Sequence, residues 1–201
     1  MPKRVDAGER REAIAEAVYR VIGERGWDAV TLRDVAAAAG VSMGQVQHYF
    51  ATRNDMLIFA LTHMRARVLA RLQQRLDALP QPVTRRDQIR AAVRVMLPVD
   101  EPGRQEAEVN IAFFSAATVT PAYADALRDG YARQAGFSRA QLTAAAADGL
   151  LRDGIDPEKE AEAFYYLTQG LIGPLLIGQL TPEAALALLD HQLDRIFRPA
   201  P

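Results

Sequence analysis

An all-α fold of about nine helices is predicted by three features of the sequence. Apolar residues recur at helical spacing along most of the chain. Several helix starts are written as a capping residue followed by proline. No stretch alternates polar and apolar residues as a half-buried strand would.

Taken in order, Ile14, Val18, Val21 and Ile22 form one stripe of a first helix from about Gly8 to Arg25, ended by Gly26. Three helix starts then crowd into residues 30–57. Thr31, Ser42 and Thr52 are each followed three residues on by a side chain that can reach back, Asp34, Gln45 and Asp55. Val30 with Val35, and Val41 with Val46, have the spacing of hydrophobic staples. Gly40 stands where the chain must leave the first short helix. Leu57, Leu61, Met64, Val68, Leu72, Leu76 and Leu79 predict a long helix that Pro80 closes. Helices also fit 84–97 and 102–117. The pairs Thr120-Pro121, Asp156-Pro157 and Thr181-Pro182 open the last three.

The chain has 201 residues, 49 % of them apolar and 24 % charged, the mix of a globular protein. It has no cysteine, which excludes a disulfide scaffold and a thiol nucleophile and fits a cytoplasmic location. No apolar run is long enough to span a membrane, so no membrane partner is expected. The overall charge of −1 hides an asymmetry. Residues 1–94 carry 16 cationic and 10 acidic side chains, whereas residues 95–201 carry 8 and 15. Either this is chance scatter, or the first half alone meets a polyanion.

Residues 30–57 therefore read as two short helices joined by a tight turn and followed by a long one, a helix-turn-helix. In the second short helix Val46 and Phe50 face inward. Ser42, Met43, Gly44, Gln45, Gln47, His48 and Tyr49 remain for base edges and phosphates. The free N–H groups where helices start at Ser42 and Thr52 suit phosphate oxygens, Arg53 adds charge, Arg33 can read guanine or clamp a phosphate, and Thr31 is counted with the same DNA-binding surface. The rival reading is an ordinary helical hairpin inside an all-α core. Lys3 and Arg4 of the arm Pro2 to Asp6 either enter a minor groove or belong to a frayed tail.

These residues resemble the TetR family of bacterial transcription regulators. The resemblance lies in Gly26-Trp27, Thr31-Leu32-Arg33-Asp34-Val35-Ala36, Ala39-Gly40-Val41-Ser42, Gly44, Tyr49-Phe50 and Arg53-Asn54-Asp55-Met56-Leu57. More loosely, Asp148-Gly149-Leu150-Leu151 through Gln169-Gly170-Leu171 is similar to the BetI-like branch. The resemblance implies a homodimer, a palindromic double-stranded DNA operator, repression, and release by a small-molecule inducer. Gln47 stands where many members carry tyrosine. Its amide can bond adenine bidentately. The division expected is a helix-turn-helix domain over residues 1–54 and a regulatory and dimerisation domain over residues 55–201.

Within that second domain, residues 163–177 are apolar nearly all round, so the helix needs cover on both sides. The expected dimer surface is Leu167, Leu171, Pro174, Leu175, Leu186, Leu189 and Leu193; the other possibility is a single buried core helix. Met96, Phe113, Phe114, Tyr131 and Tyr166, with Asn110, Thr118 and Gln169 as polar groups, either line a ligand cavity or are core packing. His48, His63 and His191 lie far apart with no metal-binding spacing, and no nucleophile elbow or P-loop is present, so neither an enzyme nor a metal or cofactor is expected. The more serious alternative is a ligand-independent DNA-binding or architectural dimer.

Overall fold

The computed structural model of the chain describes residues 7–199. The arm with Lys3 and Arg4 lies outside the described residues. Among these there are nine α-helices: α1 (Ala7–Arg25), α2 (Leu32–Ala39), α3 (Met43–Tyr49), α4 (Arg53–Asp77), α5 (Arg85–Met96), α6 (Glu101–Ala117), α7 (Pro121–Ala147), α8 (Pro157–Leu176) and α9 (Pro182–Ile196), with one 3₁₀ turn at Trp27–Ala29. The all-α fold is as the sequence predicts. Extended pairing among the described residues amounts to an isolated antiparallel bridge between Leu151 and Phe197. The caps work as read: Asp156 accepts the N–H groups of Glu158 and Lys159, and Thr181 accepts that of Ala184. Thr84 and Asp87 add a reciprocal capping box at the start of α5.

Two compact units result. Unit 1 holds the chain up to Arg67 together with Glu108–Leu127; unit 2 holds Val68–Ala107 together with the chain from Arg128 onward. In unit 1 the predicted stripe of α1 is buried, with Val35, Val46, Phe50, Leu57, Leu61 and Met64. Tyr19 donates its hydroxyl to the Ala60 carbonyl at 2.7 Å, and Glu16 takes the Arg67 guanidinium at 2.6 and 2.7 Å, so α1 is pinned to α4 by its polar groups as well. His63 is half-buried, stacked between Tyr19 and Phe59 with its Nε2 3.4 Å from Glu16.

Unit 2 is built on a core of Ile89, Val93, Leu97, Leu142, Phe164, Leu171, Leu175, Leu189, Leu193, Ile196 and Phe197. Helices α5 and α9 are joined by ion pairs, Arg90 with Asp190 through two bonds of 2.6 and 2.9 Å and Arg86 with Asp194 at 2.6 Å. The Arg90 guanidinium holds the Asp190 carboxyl below the usual carboxylate range. Gly103 is required by close approach: a Cβ there would stand 2.6 Å from the Leu97 carbonyl oxygen. Pro174 lies in the last turn of α8, where the hydrogen bond it removes costs little of the helix.

Candidate nucleic-acid interface

The geometry of residues 31–55 is set by its caps. Thr31 accepts the Asp34 N–H at 3.1 Å and donates its hydroxyl to the Asp34 carboxylate, which also takes Arg25 at 3.0 Å. These bonds, Thr31 first and Arg25 second, hold the Asp34 carboxyl below its ordinary pKa of 3.8. The cap therefore contributes fully above that pH and is lost as the pH falls through the lowered value. At the other end of α2, Gly40 adopts φ 67° and ψ 32°. Its N–H reaches the Ala37 carbonyl at 3.2 Å and the Val41 N–H reaches that of Ala36 at 3.0 Å, the paired bonds of a Schellman motif. An L side chain at Gly40 would be strained in this left-handed conformation, so the glycine fixes the turn between α2 and α3.

Ser42 and Gln45 then close a full capping box on α3: the Gln45 N–H donates to the Ser42 Oγ at 3.2 Å, and the Ser42 N–H to the Gln45 Oε1 at 3.0 Å. Thr52 and Asp55 exchange equivalent bonds of 3.0 and 3.1 Å at the start of α4. On α3, Val46 is fully buried and Phe50 closes the helix inside the core. Ser42, Met43, Gly44, Gln45, Gln47 and His48 are exposed. Tyr49 is half-buried, its ring edge-on to His48 with centroids 5.1 Å apart. Thr31, Arg33 and Thr52 are exposed around this face. Gln45 differs from Gln47 in that its carbonyl oxygen is committed to the box.

Arg53 departs from the expectation of a phosphate-facing cation. Its guanidinium is half-buried, donates to the carbonyls of Val30 at 2.5 Å and Trp27 at 3.1 Å, and lies 5.2 Å from the centre of the Trp27 ring. It ties the start of α4 to the loop before α2. Trp27 in turn packs edge-on against Phe113 (4.9 Å) and Tyr123 (5.5 Å), which meet each other at 5.7 Å. The Tyr123 hydroxyl donates to the Asn54 side chain at 2.5 Å, and burial pushes its pKa up. Sequence reasoning missed this cluster. Phe113, expected in a ligand cavity, is fully buried here.

The other residues of the expected cavity fall in different units. Asn110 (half-buried), Phe114 and Thr118 (both exposed) belong with Phe113 to unit 1; Met96, Tyr131 and Gln169 (half-buried) and Tyr166 (exposed) belong to unit 2. Within unit 2 the Tyr131, Tyr165 and Tyr166 rings form a chain with centroid spacings of 6.0 and 5.3 Å. The expected dimer residues lie as follows within the single chain. Leu171, Leu175, Leu189 and Leu193 are buried in the unit's own core, Leu167 and Leu186 pack against it, and Pro174 is half-buried. Along α8, its C-cap and α9 the exposed large apolar residues are Tyr166, Ile177 and Leu188. Among the described residues no three His, Cys, Asp or Glu side chains converge as metal ligands, and no helix is long and apolar enough to cross a membrane.

Comparison with known proteins gives this arrangement a family. The model for bacterial regulatory proteins of the tetR family matches residues 14–58, and that for the C-terminal part of BetI-type transcriptional repressors matches residues 85–198. The regulator PksA of Bacillus subtilis is 34 % identical over 173 residues, 85 % of this chain and 80 % of that protein. The chain belongs to the TetR family of bacterial transcriptional regulators. BetI of Rhizobium meliloti is 32 % identical to this TetR-family chain over 118 residues, 58 % of the chain and 56 % of that protein. Among solved structures, a transcriptional regulator from Rhodococcus sp. Rha1 superposes with a TM-score of 0.81 at 29 % identity, covering 95 % of this chain and 99 % of the other. A regulator from Saccharomonospora viridis, solved in complex with choline, shares the fold with a TM-score of 0.81 at 23 % identity, covering 96 % of this chain and all of the other.

The TetR-family helix-turn-helix is thus α2, the Gly40 turn and α3, mounted on α1 and α4. Because Arg53 braces that mount, Arg53→Ala is expected to lower the stability of the regulator by about 1–3 kcal/mol, the cost of removing a charged donor from two part-buried carbonyls. The slope of DNA affinity against salt concentration should stay unchanged. Thermal denaturation and a salt titration on duplex DNA check the two halves; a slope reduced by about one would assign Arg53 to a phosphate instead.

Proposed function

We propose that this regulator is a homodimeric repressor that binds a palindromic operator and is released by a small molecule. The observation that carries the DNA-binding half is the outward face of α3, where Met43, Gly44, Gln47 and His48 lie exposed on a helix whose opposite side is locked into the core by Val46 and Phe50. Such a face is free to enter a major groove, with the helix starts at Thr31, Ser42 and Thr52 and the exposed Arg33 as phosphate contacts.

The homodimer is supported by the outward side of α8 and α9. Tyr166 (63 % exposed), Ile177 (77 %) and Leu188 (45 %) are apolar, and a Cβ built on Gly170 or Gly173 would meet nothing within 4 Å, which leaves room for a partner helix. Twofold pairing through this side presents two copies of α3, and an operator with half-sites about 34–36 Å apart matches two such helices in successive major grooves. The leucines behind it, Leu167, Leu171, Leu175, Leu186, Leu189 and Leu193, support the face from within.

Release by a small molecule is supported by the BetI-type match and by the choline bound to the Saccharomonospora viridis regulator. Helices α4, α6 and α7 each contribute residues to both units, so a ligand held in unit 2 has a continuous route to the helix-turn-helix. A coupling of about 1–3 kcal/mol changes operator affinity about 5–150-fold.

Selection of binding sites from random duplex DNA tests the reading. The expected product is an inverted repeat. With it in hand, Gln47→Ala is expected to relax base preference at one position in each half-site, at a cost of about 1–3 kcal/mol for a bidentate adenine contact. Recovery of unrelated sequences would reject the operator, and unchanged preference with Gln47→Ala would show that the amide is not a reader.

A further inference from the structure

We infer that Met43 reads the 5-methyl group of a thymine, so that each half-site carries a thymine whose recognition is apolar rather than hydrogen-bonded. The inference rests on the DNA-binding reading above and adds to it the identity of one base and the chemistry that selects it. Four observations support it. Met43 is the first residue of α3, and the first turn of a recognition helix points at base edges. The residue is 45 % exposed although Val46 and Phe50, from the same short segment, are buried. The polar neighbours are committed elsewhere: the Ser42 Oγ accepts from the Gln45 N–H, and the Gln45 Oε1 accepts from the Ser42 N–H. Gly44, next in the chain, has no side chain, and a Cβ built there would meet only the Ser42 Oγ at 3.9 Å, so the backbone beside Met43 is open to close approach.

The chemistry then selects the base. Of the groups that the four base pairs present in the major groove, the thymine methyl is the apolar one; the rest are hydrogen-bond donors and acceptors. A methionine has neither a strong donor nor a strong acceptor, and its flexible chain adapts to a methyl group at small cost. Placed against any other base edge, it would cover a polar group and return nothing. Gln47 follows one turn later on the same exposed side, so the amide and the thioether address neighbouring base pairs.

The test is a chemical deletion of the methyl. In the operator recovered by selection, each thymine is replaced in turn by deoxyuridine, which keeps base pairing and removes only the 5-methyl group. Affinity is measured by gel shift for the full-length protein and for Met43→Ala and Met43→Leu. One thymine per half-site is expected to show a loss of about fourfold with the unaltered protein, the effect of one buried methyl-sized group. That loss should vanish with Met43→Ala and persist with Met43→Leu, which keeps the apolar contact. Met43 is exposed, so all three proteins should melt alike. A uridine profile that is the same for Met43→Ala as for the unaltered protein overturns the assignment while leaving operator binding intact. Failure of the unaltered protein to retain any duplex overturns both readings together.

Discussion

Ile177→Asp is expected to convert the regulator to a monomer and to reduce operator affinity by about 10²- to 10⁴-fold, the avidity lost when two half-sites are no longer engaged together. Ile177 is 77 % exposed in the single chain, so an aspartate there is solvated and the fold is undisturbed. In a twofold pair formed through this face the same aspartate would be buried at the interface without a countercharge. Sedimentation equilibrium reads the mass and gel shift reads the affinity. Leu189→Ala provides the contrast. Leu189 is 2 % exposed inside the core of unit 2, so its truncation should lower stability by about 2–5 kcal/mol. An Ile177→Asp protein that remains a dimer would place the interface on another face.

Phe113→Ala is expected to destabilise the protein by about 3–5 kcal/mol, the usual cost of emptying a large buried aromatic site. This corresponds to a fall of about 10 °C in melting temperature for a chain of this length. The ring is fully buried and meets Trp27 and Tyr123 edge-on, so its loss removes aromatic contacts from both and leaves a cavity behind the Arg53 brace. Circular dichroism on heating checks the stability. If Phe113 lined a ligand cavity instead, the melting point would move little and only ligand affinity would suffer.

The sequence was most legible where the physics is local. A cap needs only residues three apart, so Thr31 with Asp34, Ser42 with Gln45 and Thr52 with Asp55 were readable as helix starts, and each forms its bond. The same holds for Gly40, because a left-handed turn between two short helices asks for glycine whatever surrounds it. The inward face of α3 followed from Val46 and Phe50 at a spacing of four.

Legibility ended where tertiary context decides. A helix that is apolar all round does not say which side its own chain covers. In α8 the stripe of Leu167, Leu171 and Leu175 turns into the core, and Tyr166 and the C-cap residue Ile177 are left outside. Phe113 and Trp27 are far apart in the chain, so no periodicity could pair them. Arg53 follows a cap that invites a phosphate, yet two carbonyls of the preceding loop capture its guanidinium.

The chain contains a single tryptophan, Trp27. It stands where Arg53 from α4, Phe113 from α6 and Tyr123 from α7 converge on the loop before α2. Its indole emission therefore has one source, at the joint through which the long helices hold the DNA-reading pair. Any rearrangement of that joint, whether provoked by duplex or by effector, should register as a change in intrinsic fluorescence, with no label attached to the protein.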